Sequence, residues 1–326
     1  MMAELETDVV VVGAGNAALC AALAAREHGA RVLVLERAPE QERGGNSRYT
    51  AGAIRFVYNG VEDLLQVVPD LPEDEQVNTD FGTYTREQYF DDMARITQFH
   101  SNPEMTETLI DRSFDTMVWM RSKGVRFGPS YSRQAFKVDG HFKFWGGLAL
   151  EVTGGGPGLV EYLNKAIERD DIPVHYSTRA VSLIEEDGVI QGVVARQGGK
   201  KLTVRAKAVV LACGGFEANA EWRTRYLGPG WDLAKVRGTR YNTGDGIQMA
   251  LEAGALPYGN WSGGHAVAWD RNAPEFGDLR VGDNFQKHSY PFGLIINANG
   301  ERFVDEGADF RNYTSAKYGQ VGLQQP

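Results

Sequence analysis

The sequence predicts an α/β fold: a Rossmann-like dinucleotide-binding domain followed by a smaller α+β capping domain. Three observations near the N-terminus carry this reading. An apolar run over residues 8–12 leads into the turn Gly13-Ala14-Gly15-Asn16-Ala17-Ala18. A helix-like segment follows over residues 17–28, and Gly29 is placed to stop it. A second apolar run, 30–35, ends at the acid Glu36. Gly13 permits the tight turn, and Gly15 lets the backbone approach a pyrophosphate. Ala18, in place of a third glycine, still allows close helix–strand packing. The helix start directs its N–H groups and positive dipole end at phosphates. Glu36 is placed to accept hydrogen bonds from a ribose, which argues against a 2′-phosphate.

Composition narrows the rest. The 326 residues suffice for one large domain or two moderate ones. With 42% hydrophobic and 24% charged residues, the balance is that of a globular protein. A net charge of −9 argues against a general nucleic-acid binder. An anionic substrate stays open, because a few arginines can dominate a closed pocket. Cys20 and Cys213 have no CxxC or Cys/His neighbourhood, so the sequence implies a reducing compartment and no disulfide framework, metal or cluster site. The acidic start MMAELETD is unlike a signal or transit peptide. No apolar run approaches the ~20 residues of a membrane span. A cytoplasmic location is expected.

After Glu36 and Arg37 comes a polar glycine-rich loop, Gly44-Gly45-Asn46-Ser47, then an irregular stretch to about Tyr84. Helical patterns cover residues 87–98 and 103–122. A second glycine-rich loop, Thr153–Gly158, opens a helix over 159–169. Strand signals follow at 173–176, 179–185, 189–196 and 201–204, the last three read as a small meander within about 179–205. A buried strand over 207–212 ends in Cys213-Gly214-Gly215, and Thr243-Gly244-Asp245-Gly246 opens a helix over 247–253. Regular periodicity fades from about Leu256 until residues 292–297. The expected division is therefore 1–255 for the nucleotide domain and 256–326 for a partial capping, substrate-facing domain.

Taken in order, Gly13–Ala18 with Glu36, Gly44–Ser47, Ala212–Phe216, Thr243–Gly246 and Gly300-Glu301-Arg302-Phe303-Val304-Asp305-Glu306 resemble the FAD-dependent fumarate reductase/succinate dehydrogenase flavoprotein family. The wording GNAALCAALAARE and GGNS is most similar to the tricarballylate dehydrogenase (precorrin-3B synthase type) branch. The resemblance implies FAD. Gly13, Gly15, Asn16, Ala17 and Ala18 would hold the pyrophosphate, with Glu36 and Arg37 at the adenosine ribose. Gly44, Gly45, Asn46 and Ser47 would approach the ribityl chain and flavin edge. Ala180 or Val181 would meet the adenine through the backbone. Cys213, Gly214 and Gly215 would pass under the dinucleotide, and Asp245 would help fix the flavin side. Respiratory relatives carry a flavin-linking His where this chain has Arg48, so noncovalent FAD is implied.

Moving a hydride between flavin and a carbon beside a carboxylate needs a carboxylate clamp, charge stabilisation and a proton donor. The resemblance assigns proton transfer to Arg311, resupplied from Asp309 or Glu306, and substrate-carboxylate binding to His265, with His288 a weaker candidate. Arg302 reads as structural. The family's Thr-Glu relay pair falls on Phe285-Gln286, and Gln286 cannot relay a proton as a carboxylate would. The chain also lacks the family's later substrate His, Arg and final glycine-rich flavin loop. The implied function is oxidation or reduction of a CH–CH bond in a small polycarboxylic acid, tricarballylate-like or fumarate/succinate-like. A separate iron–sulfur or haem electron carrier at the membrane is implied as partner. Alternatives are a ketosteroid dehydrogenase, using tyrosines among Tyr290, Tyr313 and Tyr318, or a non-catalytic FAD-binding fragment.

Overall fold

The computed structural model describes residues 3–326; the side chains of residues 3, 283 and 284 lie outside that description. Strand β1 (Ala3–Val12), helix α1 (Asn16–Glu27) and strand β2 (Val32–Leu35) form the expected βαβ unit. Elements α2 (Val61–Val67), α3 (Glu73–Asn78), β3 (Thr79–Asp80), α4 (Arg86–Thr97) and α5 (Pro103–Ser122) follow. Next come β4 (Phe127–Pro129), α6 (Tyr131–Gln134), β5 (Ala135–Val138), β6 (His141–Phe144), β7 (Leu150–Val152) and α7 (Gly155–Arg169). Then come β8 (Val174–His175), β9 (Thr178–Glu186), β10 (Val189–Gln197), β11 (Lys200–Leu211), α8 (Ala220–Trp222), α9 (Asp245–Glu252) and α10 (Arg311–Gly322).

The central sheet has six strands in the order β8-β2-β1-β11-β10-β9. Its β8, β2, β1 and β11 run parallel, and β10 pairs antiparallel with both β11 and β9. Side-chain alternation divides two cores across the sheet. Val11, Val32 and Val34 join α1 and α7 on one face. Val10, Val12, Leu33 and Leu35 join Ala180, Val193, Val204 and Met249 of α9 on the other. Strands buried on both faces explain why β1 and β2 read as unbroken apolar runs.

Local chemistry sets several helix starts. Thr85 accepts from the Gln88 N–H while Gln88 reaches back, a reciprocal cap that begins α4. Asn102 caps α5, with Pro103 at its first position, where a missing N–H costs nothing. Other elements depart from the expected reading. The stretch before Tyr84 holds two short helices, α2 and α3, packed beneath a layer that also contains a three-stranded sheet, β3-β6-β5. Helix α7 begins inside the glycine loop at Gly155. The separate strands expected at 201–204 and 207–212 are one strand, β11, because Leu202, Val204 and Ala206 continue one buried face. Residues 311–322, where no element is expected from the sequence, are helical, with Arg311 as the first residue of the helix.

Among the described residues, no strand of the central sheet lies beyond Leu211. The tail instead returns to the layer formed by residues 53–152. Asp92, 13% exposed, accepts from Tyr84 (2.6 Å), from Arg55 (3.1 Å) and from the Tyr313 hydroxyl (2.9 Å). Arg95 pairs with Asp309 and lies over the Tyr313 ring, and Trp145 meets Phe310 edge-on.

Gly13 is the tightest point of the βαβ turn. Its φ is +112°, and an added Cβ would sit 2.4 Å from the Ala212 carbonyl oxygen. Gly13→Ala is expected to cost about 1–3 kcal/mol or more. Urea unfolding checks this: the midpoint should fall at an unchanged slope, and an unchanged midpoint would show that the strand ends can separate freely.

Candidate functional site

At the carboxyl ends of β1, β2 and β11 lies a cavity of about 200 Å³, where ligands gather in α/β sheets. The N-terminus of α1 opens into it. Its cap residue, Gly15, supplies no side-chain cap, and the first-turn N–H groups have no partner within the helix. One of them, from Asn16, donates to Ser47 Oγ at 3.0 Å. Helix start, glycine turn and Ser47 loop thus face one space. Gly44 backs against α7, with Val160 2.7 Å from where a Cβ would stand, so the loop can approach α7 only as glycine.

Glu36 closes the β2 end. It is 7% exposed, and one carboxylate oxygen accepts from the Ala38 N–H at 2.7 Å. Burial pushes its pKa up, against the pull of nearby backbone N–H groups and Arg37. Its carboxylate lines the cavity, placed to accept from ribose hydroxyls. Asn46 does a structural job as well: its Oδ1 accepts from the Thr239 N–H at 2.9 Å, tying the loop to residues 239–242. Cys213 lies in the wall, its thiol pushed up to about 12 by burial, so it stays protonated.

Most residues expected at the cofactor share this cavity: Gly13, Gly15, Asn16, Ala17, Glu36, Arg37, Gly45, Asn46, Ser47, Ala180, Cys213, Gly214 and Asp245. Ala18 is fully buried under the turn and serves packing. Of the two adenine candidates Ala180 lines the cavity, whereas Val181 does not. Gly215 faces a neighbouring cavity. Asp245, expected toward the flavin, stands beside Glu36, Arg179 and Ala180 at the adenosine end, because it begins α9 and two arginines draw it there. Sequence reading missed Arg179, Thr239, Tyr241 and Asn242; the polar run just before Thr243–Gly246 was the one available signal.

Asn46 also borders a larger cavity of about 820 Å³, walled by Phe216, Trp231, Trp269, Tyr290 and Tyr318 with His265 and His288. Enclosing protein and the Arg237 charge lower the His265 pKa, so its imidazole is neutral at neutral pH. Arg311 lies outside that lining, at the start of α10, and its carbonyl accepts from the Tyr290 hydroxyl. The proposed proton suppliers are otherwise engaged. Glu306, 3% exposed, accepts from the Ile295 N–H and pairs with Arg302; that backbone hydrogen bond first, and then Arg302, hold its pKa down to about 2. Asp309 pairs with Arg95.

The donor set fits FAD: backbone N–H groups for the pyrophosphate, Glu36 for the ribose, and Asn46 and Ser47 leading toward the second cavity. Glu36→Gln removes a buried charge and a ribose acceptor together. FAD affinity should fall by about 1.5–3 kcal/mol, roughly ten- to hundredfold. Because the folded pKa is raised, the folded state binds the proton more tightly, and stability declines as pH rises through that pKa. The FAD-free variant should therefore resist urea better than the parent at neutral pH and equally at acid pH. A variant less stable at neutral pH would show the carboxylate to be a net structural asset.

The comparisons with known proteins agree with this geometry. A family model described as FAD binding domain matches residues 8–322. The chain is 28% identical over 313 residues to a vinyl phenol reductase of Lactiplantibacillus plantarum, covering 92% of this chain and 56% of the relative. It is 27% identical over 309 residues to a probable fumarate reductase of Shewanella frigidimarina, covering 92% and 46%. The solved open conformation of a flavocytochrome c3 fumarate reductase superposes with a TM-score of 0.70 at 25% identity, covering 99% of this chain and 51% of that one. The chain thus spans about half the length of the curated relatives it matches. With a family match over nearly its whole length and the dinucleotide cradle in place, the chain belongs to the FAD-binding domain family of fumarate reductase/succinate dehydrogenase-type flavoproteins.

Proposed function

We propose that this chain is an FAD-dependent oxidoreductase acting on a CH–CH bond beside a carboxylate. The acid is tricarballylate-like or fumarate/succinate-like. Bound FAD supplies the hydride donor or acceptor. The protein must then hold the carboxylate and deliver or remove a proton at the neighbouring carbon.

One observation carries the reading. Among the described residues the Arg311 guanidinium has no ion-pair partner, while its neighbours are neutralised: Arg302 by Glu306 and Asp305, Arg95 by Asp309. Arg311 shares a helix face with Ser315 and Tyr318, both in the wall of the large cavity. A cation at a helix N-terminus is disfavoured by the dipole, and a substrate carboxylate offsets that cost. His265, neutral in the same wall, can donate a hydrogen bond to a carboxylate without adding charge. The steroid alternative asks for two free tyrosine hydroxyls. Tyr313 donates to Asp92 and Tyr318 to the Asp305 carbonyl, which favours the acid.

FAD is held noncovalently in this reading: Arg48 follows Ser47, and its guanidinium donates to the Gln41 carbonyl. Electrons pass to a separate iron–sulfur or haem carrier at the membrane, and the protein works in the cytoplasm.

The purified chain should show flavin absorbance after FAD addition and bleach anaerobically with a di- or tricarboxylate. Arg311→Ala should keep the absorbance and lose about 10²–10⁴-fold in the bleaching rate. Arg311→Lys should also be poor, since a point charge does not reproduce the planar fork. Near-parental bleaching by Arg311→Ala would reduce this arginine to a surface charge. Full flavin loading with no bleaching by any acid would favour the non-catalytic fragment.

A further inference from the structure

The adenosine end of the small cavity is bridged by one carboxylate. Asp245 receives a two-pronged ion pair from Arg179, Nε at 2.8 Å and Nη2 at 3.0 Å. Arg37 adds a contact at 3.1 Å, and the Thr243 hydroxyl donates at 2.9 Å. Arg37 reaches further, to the Thr243 hydroxyl (2.5 Å) and the Tyr241 carbonyl (3.3 Å). Burial alone would raise the Asp245 pKa, but the Arg179 and Thr243 hydrogen bonds and the Arg37 charge prevail and lower it. The carboxylate is therefore ionised throughout the physiological range.

The three residues come from three separate elements. Arg37 follows β2, Arg179 lies at the start of the edge strand β9, and Asp245 is the first residue of α9. Helix α9 packs on β9 through Met249 and Ala180, and the Asp245–Arg179 fork adds a polar tie between them at the cavity edge. All three line the same cavity, beside Glu36 and Ala180. Their position also settles a charge problem. A bare aspartate here would repel the pyrophosphate dianion, but its two arginines more than cancel it, and the helix dipole at the start of α9 favours the anion.

We infer that the Arg179–Asp245 pair is a strap across the adenosine end of the FAD site, a positioning device that slows cofactor release. It acts by holding β9 and α9 together, and it does not act by contacting phosphate. Two properties follow. Arg179 is 51% exposed and Asp245 19%, so the strap is weakened by salt and can open to admit the cofactor. The fork needs both of its ends, so once one is removed, removing the other takes nothing further from it.

The test is FAD release from the loaded protein, followed by recovery of free-flavin fluorescence after dilution, with association measured separately by quenching. Arg179→Ala and Asp245→Asn should each speed release about three- to tenfold, with association unchanged. The double variant should release no faster than the faster single one. Raising salt should speed release from the parent and leave both variants almost unaffected. Arg179→Lys keeps the charge without the fork and should release like Arg179→Ala. Tighter FAD binding by Asp245→Asn, multiplied effects in the double variant, or parental release by Arg179→Lys would each overturn the strap. The test does not involve substrate, so its outcome is independent of the reaction assigned above.

Discussion

The approach of Gly13 to the Ala212 carbonyl is the constraint on which the rest of the site depends. Strands β1 and β11 run side by side in parallel, paired from Ala3 with Leu202 to Val12 with Leu211. At their carboxyl ends the chains must turn apart within a single residue. Only a residue without Cβ, at positive φ, fits there. Because the turn is so tight, α1 starts directly above the sheet edge with its unpaired N–H groups facing the gap. The exit from β11 makes the matching turn at Gly214, φ +74°, against Asn242. Two sharp turns, one from each strand, open the space the cofactor needs.

A second, softer constraint holds the tail. Residues after 256 contribute little to either core, and Leu256, Phe292 and Leu294 are largely exposed. Beside the packing of Phe310 and Tyr313 on Trp145, polar contacts fix the start of α10: Asp92 with three donors, Arg95 with Asp309, and Asn312 with Gln134. Each such contact is directional and nearly worthless if misplaced, unlike apolar packing. The start of α10, and Arg311 with it, is thereby tied to side chains as far as 221 positions earlier in the chain.

This division explains what was legible in the sequence. The βαβ unit was readable because its information is local: an apolar run, a glycine turn, an acid at fixed distance. Helix α5 is legible from end to end for the same reason, its helical pattern being continuous over residues 103–122. Strand β11 was split in two because Arg205 and Lys207 interrupt its apolar run. In the structure these side chains point outward, Arg205 pairing with Glu186 and Glu4, while Val204 and Ala206 stay buried. The place of Asp245 was misread because its arginine partners lie 66 and 208 positions away, and no local pattern records such a pairing. The engagement of Glu306 is hidden likewise: its Arg302 partner is in view, but the Ile295 N–H that completes its shell lies 11 positions upstream, and no local pattern records that contact.

The electrostatics of the cradle then follow from which charges are already committed. Arg37 and Arg179 are the cations at the adenosine end, and both are turned onto Asp245. Glu36 is buried and accepts from the backbone. The four charges sum to zero, leaving no free side-chain cation among them for a phosphate. Attraction for the pyrophosphate must therefore come from the backbone, through the first turn of α1 and its dipole. Backbone donors are fixed by the sheet and need no reordering when a ligand arrives, whereas a long arginine would lose rotamer freedom on binding. A chain of net charge −9 can in this way hold a doubly charged cofactor without building a basic patch.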